Sequence, residues 1–323
     1  MQSSDFFEIS VNVFLKLPDT LPFNVYLDIN GSSFVHIMKA YEKLDRERLN
    51  SYIKKGVKSF LVPKTDRKSY IESVEALIPR ITSKTGITYQ ETAQVMEELT
   101  EQTLLGIYED GVLDELNVAR AESIVKAYIG FLQTDKRVLF KFLELCREET
   151  YFVRHAISTS IFAILIAQAD GQINERSSQI VGLGGLLHDV GMIDLPHEIE
   201  GKDRQLTAEE WQIIQKHPSV GRDIAIQISN IPGEIIQVIE QHHESYDGSG
   251  YPYGMKSDWI FYPARVVALA DSFSALTTRR GGRALYEPQA AIEVLMADRK
   301  KYDPKLLKAF INLLGTKRKN SAA

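Results

Sequence analysis

The chain is short of cysteine, of surplus positive charge and of long apolar runs, and each shortage removes a class of explanation. Its one cysteine, Cys146, cannot close an intrachain disulfide, so stability must come from a packed core and a reducing compartment is expected. Cys146 sits at helical spacing among Phe142, Leu143 and Leu145 and reads as a small core residue. Lys and Arg number 38 against 43 Asp and Glu, a net charge of −5. Without a basic excess to displace counterions, bulk nucleic-acid binding is not expected. The opening MQSSDFFEIS lacks the basic start and apolar stretch of a signal peptide. The most apolar segment, AISTSIFAILIAQA (156–169), reads as too short and too polar to span a bilayer. The expectation is a cytoplasmic protein without a membrane partner.

What is present is enough for two domains. The chain has 323 residues, 44% hydrophobic and 25% charged, an ordinary composition for a packed globular protein. Residues 6–37 favour strands: FFEISVNVFLKL and FNVYLDI are rich in β-branched and aromatic residues, with a turn at Asn30-Gly31. DRERLNSYIKKG predicts a short helix ending at Gly56, VKSFLV a strand, and KSYIESVEALIPRI another helix. This defines a small α+β domain over 1–82, with no cluster of ligand or nucleophile types; its one histidine, His36, reads as a packing or surface residue. The polar stretch TSKTGIT marks the boundary, and 83–323 is expected to be all helical. Helices are predicted near 89–108, 114–131, 135–147, 150–169, 177–188, 207–228, 233–244, 263–278 and 288–297, with a capping box at Thr207 and Glu210. The basic tail TKRKNSAA reads as a frayed end.

Five of the seven histidines fall in this helical region in recurring settings: His155, His188, His217 and the adjacent pair His242-His243. Asp189 follows His188, and Asp271 lies in RVVALADSFSAL among apolar and small residues. A lone carboxylate in such a run is costly to bury unless paired or metal-bound. Taken singly, each residue also fits a satisfied core position or an exposed helix stripe. Together, imidazoles and carboxylates without thiolates suit divalent Fe, Mn, Zn or Ni. Seven ligands are too many for one tetrahedral ion and about right for two ions with open positions for water and substrate. Neighbours on a helix point about 100° apart, so His188 and Asp189 serve adjacent ions more readily than one.

Four stretches in this order, LLHDVGM, LTAEEWQIIQKHPSVG, HHESYDGSGYP and RVVALADSFSALTT, resemble the HD-GYP branch of the HD-domain phosphohydrolases over roughly residues 150–311. The resemblance implies a mainly α protein: a C-terminal all-helical HD-type bundle behind the small N-terminal α+β domain. It implies a cyclic di-GMP phosphodiesterase working through a bridging hydroxide on two divalent ions, Fe or Mn. His155, His188, Asp189 and Asp271 would hold one ion; Asp189 would bridge to a second, held by His217, His242 and His243. His188 and Asp189 thus carry the catalytic role. Arg280, Arg283, Tyr251 and Gly250 are the candidate substrate contacts. The partner is a cyclic dinucleotide, with a protein signalling partner as a further candidate.

The chain also departs from that pattern. Met192 stands where HDxGK has lysine, and methionine supplies neither charge nor proton. Gly281 and Gly282 replace the Pro-Tyr of RPYR, Ser274 replaces an acid, and Tyr151 replaces the glutamate that holds a third metal in some members. Two alternatives follow: a metal-bound but non-hydrolytic receptor or interaction module, and an HD-type phosphohydrolase acting on other nucleotides, which the GYP loop argues against.

Overall fold

The structure is a computed structural model that describes residues 5–31, 33–79, 88–109, 111, 113–134, 151–171, 174–195, 207–278 and 285–315. The expected boundary at 82/83, the helix expected over 135–147 with Cys146, and the basic tail lie outside the described residues. The chain divides into two compact units, Met1–Gly106 with Thr134–Leu145 and Ile107–Gln133 with Cys146–Ala323, and the first division falls inside a long helix.

In the first unit β1 (Phe6–Ser10) leads directly into α1 (Val11–Phe14), followed by β2 (Val25–Asp28), β3 (Phe34–Met38), α2 (Arg46–Lys54), β4 (Ser59–Pro63) and α3 (Arg67–Glu75). The strands form one antiparallel sheet in the order β1-β4-β2-β3. The continuous strand expected over FFEISVNVFLKL is corrected here. Ser10 accepts a hydrogen bond from the Asn12 amide and caps a helical turn that buries Val11, Val13 and Phe14, so burial overrides β-propensity. On the covered face Phe14 meets Phe60, and Tyr70 meets Phe7 and Phe23, with ring centroids 5.0–5.5 Å apart. Glu98 on α4 (Tyr89–Glu109) reaches this core and accepts from the Tyr70 hydroxyl at 2.8 Å. Among the described residues His36 belongs to neither candidate ligand group, and it stacks on Tyr26, centroids 4.5 Å apart.

The second unit is helical: α5 (Glu115–Thr134), α6 (Tyr151–Asp170), α7 (Glu175–Leu187), α8 (Ala208–Ile214), α9 (His217–Ala225), α10 (Gly233–Gln241), α11 (Tyr262–Thr277), α12 (Pro288–Ala297) and α13 (Pro304–Gly315). The central member is α6, packed against α7, α11 and α13. It runs where a helix near 150–169 is expected, while the reading of this stretch as too short and too polar to span a bilayer is corrected. By length and composition Phe152–Asp170 would suffice to cross a membrane, yet 78% of its apolar window is buried inside the unit. Rings of Phe162, Phe273 and Phe310 meet edge to face behind it. The Ser160 hydroxyl donates to the Gly182 carbonyl at 2.7 Å and ties α6 to α7. The single helix expected over 207–228 is two helices broken at Gln215-Lys216, and the second starts with Pro218 in its first turn. The capping box of Thr207 and Glu210 opens the first of them.

A candidate metal centre of two histidine–carboxylate groups

The site lies where four helices end or begin. His155 stands in the first turns of α6, His188 caps the C-terminus of α7, His217 opens α9, and His242 caps α10. Asp189 heads a 3-10 turn over Val190–Asp194 and has left the helical backbone (φ −91°, ψ 11°). That departure turns its carboxylate back beside His188, which two successive residues of one helix could not manage. Gly191 makes the turn fit: a Cβ there would stand 2.0 Å from the His217 carbonyl oxygen and 2.5 Å from the Gly221 nitrogen. Only hydrogen lets α9 approach closely enough to deliver His217.

The seven residues named from the sequence converge as two groups. Asp189, His217, His242 and His243 form one; His155, His188 and Asp271 form the other. Asp189 faces both. Its Oδ1 lies 3.2 Å from His217 Nε2 and 3.8 Å from His242 Nε2. Its Oδ2 lies 3.2 Å from His188 Nε2 and 3.9 Å from His155 Nε2. Asp271 Oδ1 is 3.0 Å from His155 Nε2, and its Oδ2 is 3.9 Å from His243 Nδ1.

The ring tautomers follow from the outer contacts. Nδ1 of His188, His217 and His242 each meets the carbonyl three residues earlier, of Gly185, Ile214 and Ile239, at 2.9, 2.7 and 2.7 Å. A carbonyl only accepts, so these Nδ1 atoms carry a hydrogen and each Nε2 points inward, where it can ligate an ion once it holds no proton of its own. His155 Nδ1 lies 3.0 Å from Ser274 Oγ, whose hydroxyl donates to the His155 carbonyl at 3.2 Å. Nδ1 of His155 is therefore the donor as well. This outer ring of acceptors is what oriented metal-binding imidazoles require.

The inward atoms fit cations. His217 Nε2 and His242 Nε2 face each other at 3.1 Å, a distance that a proton shared between the two rings or a cation beside them would satisfy. His188 Nε2 is buried and makes no hydrogen bond, because its approach to Asp189 is poorly aligned despite the short distance. Burial alone would raise the Asp189 pKa, but His188 and His217 overrule it and hold the carboxylate well below its ordinary range. Asp271 is likewise depressed against burial, chiefly by His155. The donor set is nitrogen and oxygen only, suited to Fe, Mn or Zn.

The same charges set a pH dependence for the metal-free protein. Burial would lower the His188 pKa, yet Asp189 and Asp271 outweigh it and push it up to about 9. Burial, then His217, pushes His243 down to about 4, and burial with the neighbouring imidazoles depresses His242. A raised histidine stabilises the fold below its unfolded pKa of 6.5 and loses that contribution as pH climbs through 9. A depressed one contributes above 6.5 and loses the contribution as pH falls toward 4. The melting temperature of chelated protein is thus expected to be highest near pH 6.5. Unfolding free energy should fall on both sides by an amount on the order of 1–3 kcal/mol. A scanning-calorimetry series from pH 4 to 9.5 that stayed flat would contradict this charge assignment.

The loop after His243 closes over one side. Glu244 is buried, and its two carboxylate oxygens accept from the Tyr253 and Met255 amides at 2.7 and 2.8 Å, pinning the GYP segment. Asp247 accepts from the Ser249 amide and hydroxyl within the turn. The Tyr251 amide donates to the His243 carbonyl at 3.1 Å, and its ring stacks on His243 with centroids 4.7 Å apart. At Gly250 a Cβ would meet the Ser245 nitrogen at 2.3 Å and the His243 oxygen at 2.4 Å. Neither backbone atom can retreat cheaply. Gly250→Ala is expected to cost about 1–3 kcal/mol of stability and to dislodge His243. The check is a lowered melting temperature together with loss of metal from the His217–His242–His243 group.

Sequence reading named the seven inner residues but gave no role to Glu244, and it treated Ser274 only as a missing acid. The signal for Glu244 was its place directly after the paired histidines; its amide partners depend on loop geometry no spacing reveals. Met192 lies half-buried in the 3-10 turn, its amide donating to the Asp189 carbonyl at 2.8 Å. Arg280 and Arg283 lie outside the described residues, as do Gly281 and Gly282.

With this geometry in view, the comparisons are specific. The HD domain family matches residues 144–306, half of the chain, and the chain belongs to that family. Within it the chain is of the HD-GYP type. It is 26% identical over 200 residues to the cyclic di-GMP phosphodiesterase PA4108 of Pseudomonas aeruginosa, covering 62% of this chain and 48% of that protein. It is 28% identical over 234 residues to 3'3'-cGAMP-specific phosphodiesterase 2 of Vibrio cholerae, covering 70% of this chain and 42% of that protein. The chain thus spans less than half the length of either relative. Bd1817, an HDG"Y"P protein from Bdellovibrio bacteriovorus, shares the fold, with a TM-score of 0.70 at 21% identity over 96% of this chain and 100% of that one.

Proposed function

We propose that this chain is a metal-dependent phosphodiesterase that opens cyclic di-GMP, and the observation that carries this reading is the single carboxylate of Asp189 facing both ligand groups. His155, His188, Asp189 and Asp271 would hold one divalent ion, and Asp189, His217, His242 and His243 a second. When bound, two such ions lower the pKa of water and neutralise phosphate oxygens, and Fe and Mn match these donors. Hydrolysis adds a water hydroxyl to phosphorus, breaks the bond to the ribose oxygen, and sends the remaining proton to that leaving oxygen. Asp189 and Asp271, held anionic, keep the imidazoles aimed inward. Tyr251 covers His243, and burial followed by the charges of Asp271 and Asp189 keeps its phenol protonated. It is then a hydrogen-bond donor for a phosphate oxygen, with Gly250 holding the turn beneath it.

A second reading, a metal-bound receptor that signals through a protein partner, is favoured by one observation: the turn after Asp189 carries Met192 instead of a cation. The two separate in one experiment. Protein loaded anaerobically with Fe or Mn is assayed for metal content and for conversion of cyclic di-GMP, and of 3'3'-cGAMP, to linear product. Two ions per chain with metal-dependent turnover supports the enzyme. Two ions with tight dinucleotide binding and no product makes it a receptor. A chain that takes up no metal sinks both.

A further inference from the structure

The rings around the centre form a series that leads outward. His243 contributes a metal-ligating edge and stacks under Tyr251 at 4.7 Å and 29°. Tyr251 in turn meets Trp211 edge to face, centroids 6.4 Å apart at 80°. Tyr251 also lies 6.5 Å from His217, the ligand six residues beyond Trp211. Trp211 sits on α8, whose capping box fixes the helix start and whose buried contribution is Ile214 alone. The indole is therefore not spent on the core: it is 47% exposed.

This series lies on the open side of the site. His155, His188, His217 and His242 have side chains no more than 5% exposed, whereas His243 keeps 27% and Asp189 18%. His243 is thus the most open of these imidazoles, and Tyr251, with Trp211 against it, lies beside it. Single exposed tryptophans are ordinary on protein surfaces. The position of this one, at the end of a line of rings descending to metal ligands, is not.

We infer that Trp211 is a nucleobase platform: with a phosphate of the dinucleotide at the histidine cluster, its open indole face stacks the base one ribose away. The inference rests on the substrate class proposed above and deepens it. Every nucleobase has a π face, so stacking of this kind strengthens binding without selecting guanine over adenine. Trp211 should therefore serve cyclic di-GMP and 3'3'-cGAMP alike.

The chain has two tryptophans, so Trp259→Phe leaves Trp211 as the sole indole. Full-length, metal-loaded Trp259→Phe protein is mixed rapidly with cyclic di-GMP, and a saturable change in indole emission is expected. Retention of radiolabelled dinucleotide on the metal-loaded chain, sampled before turnover, should weaken roughly 5- to 150-fold in Trp211→Ala, the range of one base–aromatic stack. Trp211→Phe should recover most of the loss, and metal content should match the parent in both variants. The shift should be equal for the two dinucleotides within about a factor of three, half of one tenfold step in affinity. Unchanged affinity in Trp211→Ala overturns the platform, as does constant emission while labelled dinucleotide is retained. If the unaltered, fully metal-loaded chain neither retains nor converts either dinucleotide, the substrate class itself fails, and the platform with it.

Discussion

Asparagine at position 189 is expected to strip metal from both ligand groups and to lower turnover by at least roughly 10²–10³, the scale of a lost electrostatic group at a reacting centre. The reasoning is geometric. One carboxylate oxygen faces His217 and His242, and the other faces His188 and His155. An amide offers only one oxygen, and the N–H donors on its other side would hydrogen-bond imidazole lone pairs that an ion needs. It also removes the negative charge that holds the His188 proton, so a buried cation loses its partner. Asp271→Asn makes the useful contrast, because its nearest imidazole is His155 at 3.0 Å and the next, His188 and His243, are each 3.9 Å away. That variant should deplete the His155–His188 group first and leave the other ion in place. Elemental analysis distinguishes them: near zero ions for Asp189→Asn, near one for Asp271→Asn. Ligand binding to the folded state raises stability, so chelator should lower the melting temperature of the parent and leave Asp189→Asn unmoved. Two ions retained in Asp189→Asn would mean that the shared carboxylate is not the keystone of this site.

The inner residues were legible because their chemistry clashes with their surroundings. Asp271 amid Val266, Val267, Leu269 and Ala270, or His188 at the end of an apolar run, signals a buried polar group in want of a partner. Seven such signals in one helical region point to each other, and the fold does bring them within reach. Helix positions were legible for the same periodic reason. The errors came where local geometry overrode period. A helix across 207–228 was the natural reading of its apolar spacing, yet Pro218 in the first turn of α9 marked a new start that could have been heeded. The turn of helix at Val11–Phe14 was hidden by strand-forming residues whose burial at three close positions suits a helix. Backbone-directed roles were the least legible of all. Ser274 steadies His155, and Glu244 pins the loop through two amides, but both depend on partners 119 and about ten residues away whose placement only the fold decides.

Lysine at position 192 is expected to raise turnover of cyclic di-GMP by about 10²–10³, the gain of one electrostatic donor at the reacting phosphate. The position is favourable. Met192 follows Asp189 by three residues in a 3-10 turn and its amide closes that turn on the Asp189 carbonyl at 2.8 Å, so its side chain departs from the backbone that carries the shared ligand. It is half-buried, and a lysine stem can lie along apolar surface there while its ammonium stays solvated. The seven histidine and aspartate positions of the two groups are untouched, so ion content and the melting temperature should stay near the parent values. A rise in kcat with KM changed little would show a charge used in the transition state, since uniform binding would lower KM alone. A gain confined to KM would assign the lysine to substrate capture. No gain, with two ions still bound, would place the missing function in the altered segment around Gly281 and Gly282, and restoring Pro and Tyr there becomes the decisive variant.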